Sequence, residues 1–564
     1  MPRSRSSREP PELSDVPLRP PDVVMRLDRL GASHPTRLSF LRTLMRRAAQ
    51  ERWKVGRTEW AVSDAGYGHA VYRVETPLRT YCLVAFSTPL EDSRRTDRVI
   101  AEAWDTSYVL YDGIPDAQEI ARLRQNAPLQ EAGRYCARDL VLARANKSVR
   151  LFDAVVDSLA KGEQPDAALL ASVGYLMRTT AVYGNGKFGI ADRDEIARRP
   201  ELSGPFQAEM LTVWLIRSFT IDLAEHVAAR RAPGQAARLS PALRRSLGVG
   251  NATGLGMAPF LVRHPVLMHN WFHARETALA RVRSQPSSDS AAQAGFLTAL
   301  AAMRDKVSTW GTADSRQAEA ITALAADLAK LELSAADITR GAALPWDALY
   351  RFAEANLSLE GQEATVALIL EPHGELIDDL ADTMAADEDA GFRIDGPMNC
   401  GALKALIARD YAWTRRYDFT QETANARFWY VSAEKLEPRL GERLSEAGAE
   451  CEQPLAIARD IAALSRALDL EPAATSIADF LLRHPEWRHV IRRAQIAATH
   501  SYAEIRDNLI DAAMRPIDLL RSKLAFFGAS RFDPRSDRWL RISLFAGESF
   551  PEDIAAVQKS EAVA

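Results

Sequence analysis

From residue 36 to 52 (TRLSFLRTLMRRAAQER) apolar side chains recur three and four apart with arginines between them, which predicts an amphipathic helix. The pattern then changes to alternation. Glu59–Val62, His69–Val74 and Thr80–Phe86 predict three strands with turns at 64–68 and 76–78, and Ser107–Asp112 predicts a fourth. A helix near Asp97–Trp104 is expected to pack on that sheet. The period is helical from 116 to 230, again from an Ala-rich 295 to 384, and again over most of 401–525. Leu211–Ala229 is the most apolar of these stretches but carries Arg217, Asp222 and Glu225, so it reads as a buried helix. Arg538–Phe545 alternates as a strand and is a candidate to return to the N-terminal sheet.

These elements predict a mainly α protein, large and helical, with a small antiparallel β-sheet near the N-terminus (α+β). Four segments are expected. Residues 1–34, with six prolines by position 21, form a disordered or loosely draped tail. Residues 35–115 form a small α+β unit, 116–284 a helical domain with Gly-rich loops, and 295–564 a second helical region, packed with the first as one body or apart from it. The polar stretch from Ser284 to Gln293 is the best internal boundary.

Composition narrows the function classes. With 71 Lys plus Arg against 75 Asp plus Glu, the net charge of −4 argues against a chain that coats nucleic acid. No charge-free run of about 20 apolar residues exists to span a membrane, and no signal peptide is visible. Four separated cysteines without a C-x-x-C pair suit a reduced, cytoplasmic protein.

The candidate chemistry concentrates at Gly248–Glu276, where Gly248, Gly250, Gly254 and Gly256 are followed by His264, His269 and His273. Glycines at this spacing let the backbone take positive φ and approach a ligand, with Asn251 and Thr253 supplying polar groups. A close helix crossing explains the glycines equally simply. The dinucleotide fingerprint is rejected because Pro241–Leu247 reads as helix rather than as the strand that must precede it, and no Gly-Lys-Ser/Thr follows to make a P-loop. A second loop, Tyr183–Gly189, offers Tyr183, Asn185 and Lys187 to a substrate carboxylate or phosphate, or is a solvated surface turn.

On a helix His269, His273 and Glu276 share one face and could ligate a divalent metal, although Asn270 stands where a zinc protease has its glutamate. The alternatives are acid/base work by His264, His269 or His273 and histidines merely satisfied on a half-buried helix. Cys400, after Asn399 and before a helix, is the best nucleophile candidate, since a helix N-terminus favours a thiolate. Arg415 and Arg416, with neighbouring tyrosines, suit an anionic substrate or pair with nearby acids. Phe260–His269 and Phe480–His489 both read FL[VL]RHPxxxH; either the chain repeats itself or Pro serves twice as a helix start.

The leading expectation is a cytosolic enzyme that acts on a small polar, anionic metabolite by acid/base chemistry of the lyase or hydrolase type. It would use no nucleotide cofactor and have no nucleic-acid or membrane partner, and self-association into a homo-oligomer is left open. The alternatives are a metal-dependent enzyme built on His269, His273 and Glu276, and a helical scaffold or regulatory protein.

Overall fold

The structure is a computed structural model that describes residues 16–26, 36–94, 103–179, 198–253, 264–286, 289–310, 315–384, 392–416, 429–432, 435–440, 449–452, 457–506, 524–529, 531–533 and 540–554, with Arg29 and Ile196. The alternating segments form β1 (Lys54–Val62), β2 (Gly68–Glu75), β3 (Thr80–Ser87) and β4 (Thr106–Asp112), each antiparallel to the next. The sheet does not stop there. It continues through β5 (Asp139–Lys147), β6 (Tyr175–Thr179) and β7 (Gly248–Thr253), then through β12 (Leu540–Leu544) and β11 (Arg531–Asp533). A nine-stranded mixed sheet therefore replaces the small antiparallel N-terminal sheet expected from the sequence. Three separate parts of the chain supply it. β5 and β6 lie in a stretch whose short apolar runs fit the helical period as well as the strand period, and the glycines of β7 give it the composition of a loop.

β6 and β7 run parallel, and they are the one parallel pair among the described strands. Adjacent parallel strands need a crossover. Here it contains the long helix Gln207–Arg231, the buried helix anticipated at Leu211–Ala229. Numbering the helices used below in chain order, α1 is Phe40–Gln50, α2 Ala117–Asn126 and α3 this 207–231 helix. α3 is apolar nearly all round. It lies across β3 to β7, with Phe219 against Tyr72 and Tyr108, and is covered in turn by the rest of the protein. α2 covers part of the opposite face, where Ile120 and Leu123 meet Val84, Val109 and Leu142. The helix expected at 97–104 falls largely outside the described residues, and Ala103–Trp104 is not helical.

The glycines of β7 are extended, and neither has positive φ. They are needed for close approach within the sheet. A Cβ on Gly248 would lie 2.4 Å from the carbonyl oxygen of Leu544, and one on Gly250 would lie 2.7 Å from the Tyr175 ring. Gly250→Ala should therefore destabilise by about 1–3 kcal/mol, the usual cost of overpacking. Urea unfolding checks this, and a neutral substitution would show that Tyr175 swings away freely.

The helices α4 (Pro265–Arg283), α5 (Ser290–Ser308), α6 (Ser315–Thr339), α7 (Pro345–Asn356) and α8 (Leu359–Leu370) share the main core with α1, α3 and the sheet. A second core joins α9 (Cys400–Asp410), α10 (Ile457–Asp469), α11 (Ile477–Arg483) and α12 (Arg488–Thr499). The two meet where Val266 of α4 packs with Ile496, Ala503 and Phe392. β8 (Trp429–Ser432), β9 (Lys435–Leu440) and β10 (Ala449–Glu452) make a separate antiparallel sheet. The N-terminal stretch is docked over 16–26, where Arg19, Val24 and Met25 are buried. Among the described residues no helix is long and apolar enough to cross a membrane.

Candidate functional site

The carboxyl ends of β6 and β7 are tied together by Asn251, whose side-chain amide donates to the backbone oxygen of Thr179 at 3.0 Å. Asn251 is 1% exposed, so it belongs to the interior between the strands. Thr253 is the last residue of β7 and stands opposite Leu540. The segment holding Tyr183, Asn185 and Lys187 follows β6, and the one holding Gly254 and Gly256 follows β7. All five lie outside the described residues, but their starting points, Thr179 and Thr253, end neighbouring strands at one end of the sheet.

A polar face adjoins this end. Arg178 of β6 stands opposite Asn146, and Arg144 opposite Ser107, so the four share one side of the sheet. Tyr108, the next residue along β4, points the other way and meets Phe219 of α3. The polar side is thus the one away from α3. Arg178 is 5% exposed, and the Arg144 guanidinium lies 4.7 Å from the centre of the Trp104 ring. Asn146 accepts from the Asp105 backbone at 2.8 Å and donates to the Ala103 carbonyl at 3.0 Å, which fixes Trp104 beside Arg144. Two guanidinium groups at diagonal positions of a buried ladder suit a carboxylate or phosphate, because each offers a planar fork of donors.

The histidines of α4 form a different constellation. The His269 ring lies tilted to His273 at 5.4 Å and edge-on to His500 at 4.9 Å. Its Nδ1 accepts the Tyr502 backbone N–H at 3.1 Å. Burial above all, then His500 and His273, pushes the His269 imidazole down to about 3, so it is neutral at ordinary pH and a weak base. His273 keeps part of its ring in solvent, and the packing around the remainder lowers its imidazole by desolvation. The Glu276 carboxylate is engaged by arginines. It accepts from Arg19 Nε at 2.7 Å and Nη2 at 2.9 Å, and Arg275 lies 3.0 Å away. Among the described residues no group of three His, Cys, Asp or Glu is placed to hold a metal. One face of α4 carries the three residues as the spacing predicts, but Arg19 of the N-terminal stretch claims the carboxylate.

His264 precedes Pro265 at φ −123° and ψ 59°, and His484 precedes Pro485 at φ −132° and ψ 63°. The FL[VL]RHPxxxH echo thus corresponds to one helix-start geometry used twice, with Pro in the first turn of each. Cys400 opens α9 with Asn399 as its N-cap, as expected, but it is fully buried and burial raises its thiol. Desolvation here outweighs the helix terminus, and Cys400 is a core residue rather than an exposed nucleophile. Arg415 is exposed on the turn Ala412–Arg416; the Arg416 side chain lies outside the described residues.

One carboxylate of the second core titrates near neutrality. Burial raises Asp460 of α10 to about 6, against the pull of Arg493 and Arg459. A carboxylate with a raised folded pKa contributes full stability below its unfolded value of about 3.9 and loses it as pH rises through about 6. Asp460→Asn should therefore be more stable than the parent at pH 7.5 by about 1–2 kcal/mol, after allowance for partial exposure, and equal to it near pH 4. Urea unfolding at the two pH values decides this, and a variant less stable at pH 7.5 contradicts it.

The residues missed by sequence reasoning are Arg144, Arg178, Arg19, His500 and Tyr502. Arg144 and Arg178 carried a weak signal, each being the cation within a short apolar run (LVLARA and YLMRTT). No protein-family model, curated protein or solved structure matches this chain.

Proposed function

We propose that the protein is a cytosolic enzyme that binds a small anionic metabolite at the carboxyl ends of β6 and β7, without a nucleotide cofactor. One observation carries this reading: two glycine-bearing segments follow adjacent parallel strands at the same end, beside Arg144 and Arg178. In sheets with parallel strands ligands settle outside the carboxyl ends, where the connecting loops part. The arginines bind the anion. Lys187, on the segment after β6, adds charge. His264, the first histidine after β7 in the chain, moves the proton, because His269 is too weak a base at neutral pH. Lyase or hydrolase chemistry matches these groups.

Thermal melting with a panel of small mono- and dicarboxylates and phosphate esters tests the reading. At least one anion class should raise the melting temperature of the parent and leave Arg144→Gln unmoved. If none does, or if both proteins respond alike, the anion site is not there.

A further inference from the structure

Arg19 arrives from the N-terminal stretch and enters a cradle made by two helices. Glu276 of α4 takes its Nε and Nη2, at 2.7 and 2.9 Å, and Glu363 of α8 takes its Nη1 and Nη2, at 2.8 and 3.3 Å. Two edges of the guanidinium plane are therefore read, each by a whole carboxylate. Both carboxylates are buried to 1% or less, and Arg19 is 5% exposed. A lysine ammonium, a point charge with three donors, cannot present two such edges.

The cradle and its occupant differ in how they are held. The carboxylates stand on regular helices of the main core. Residues 16–20 have no helix or strand, and Pro17 and Pro20 are exposed. Beyond them the helical turn Pro21–Val24 is anchored by buried Val24 and Met25, and Arg506 donates its backbone N–H to Met25. Within 16–20 the Tyr502 hydroxyl donates to the Arg19 carbonyl at 2.7 Å, and the Pro20 carbonyl accepts from Val23 and Val24 of the turn. Arg275 also faces the cradle: its Nε donates to Glu276 at 3.1 Å, and its Nη2 lies 3.0 Å from Glu276 and 3.4 Å from Glu363. Arg275 thus holds one bond on Glu276, Arg29 donates Nη1 to Glu363 at 3.2 Å, and Arg19 supplies two bonds to each carboxylate. With Arg19 withdrawn, two buried carboxylates would face Arg275 and, at 3.2 Å from Glu363, Arg29. Each would keep one bond, from Arg275 or Arg29, and lose the two it takes from Arg19, a costly state unless another guanidinium enters.

We propose that residues 16–20 form an arm hinged at Pro20–Pro21, and that the Glu276–Glu363 cradle it plugs is a recognition site for a guanidinium-bearing ligand. The arm is the site's built-in occupant. An arginine side chain or a small guanidine competes with it and swings it outward, while Val24 and Met25 stay in place. This device does not depend on the anion site at the sheet.

Methylguanidinium and methylammonium, compared at equal ionic strength, provide the test on the full chain. Arg19→Ala should melt several degrees lower than the parent, roughly 5 °C or more. Low-millimolar methylguanidinium should recover at least about half of that loss by binding the vacated cradle, and methylammonium should recover none. If Arg19→Ala does not fold, the parent protein gives the same answer. Deuterium uptake of a peptide covering residues 16–26 should rise with methylguanidinium and stay flat with methylammonium. Equal responses to the two cations, or no response in either experiment, would overturn the proposal.

Discussion

Arg217→Met is expected to lower stability by about 3–5 kcal/mol and to free the C-terminal residues from the sheet. Arg217 is 1% exposed in the middle of α3. Its guanidinium donates to four backbone carbonyls: Leu247 at 2.7 Å, Arg245 at 2.8 Å, Glu548 at 2.9 Å and Ser549 at 3.2 Å. The Phe550 ring covers it at 3.8 Å. One side chain thus joins the crossover helix to the residues that enter β7 and to those that leave β12. Met restores the volume but no donor, so buried carbonyls lose their partners at about 1 kcal/mol or more each. Urea unfolding measures the total, and hydrogen exchange over 540–554 locates it. A loss under about 1 kcal/mol, or protection unchanged in that segment, would show that Arg217 is only packed there.

The second large effect concerns binding. Arg178→Gln should weaken the affinity for whichever anion stabilises the protein by about 10- to 100-fold, the range expected when a charge-assisted fork is lost from a buried site. Gln keeps a donor and part of the volume, so far-ultraviolet circular dichroism should be unchanged. Isothermal titration of parent and variant gives the ratio. An affinity altered less than about threefold would remove Arg178 from the site.

How much of this was legible in the chain depended on which residues decide each feature. β1 to β4 announce themselves because β2 to β4 carry long runs of β-branched and aromatic residues between clear turns. α3 was legible as a buried helix, even with Arg217 inside it. β6 is five residues long, and β7 owes its glycines to the Tyr175 ring and the Leu544 carbonyl, contacts that only the assembled sheet creates. Once those strands were missed, Arg144 and Arg178 could not be recognised as neighbours. The histidine face of α4 followed correctly from spacing, and what changed its meaning came from far along the chain. Arg19, 257 residues away, takes Glu276, and Tyr502, 233 residues away, takes His269. Local pattern cannot report a partner at that separation. Cys400 shows the converse: the helix start was right, and burial against the second core cancelled its chemical consequence.

The central claim is that the carboxyl ends of β6 and β7 form the ligand site. A crystal structure of the protein with its most stabilising anion tests it most directly. The account predicts the anion within hydrogen-bonding distance of Arg178 or Arg144, with residues 183–189 and 254–256 beside it. An anion seated against His269, His273 and His500, or anywhere away from the β6–β7 end, would contradict it.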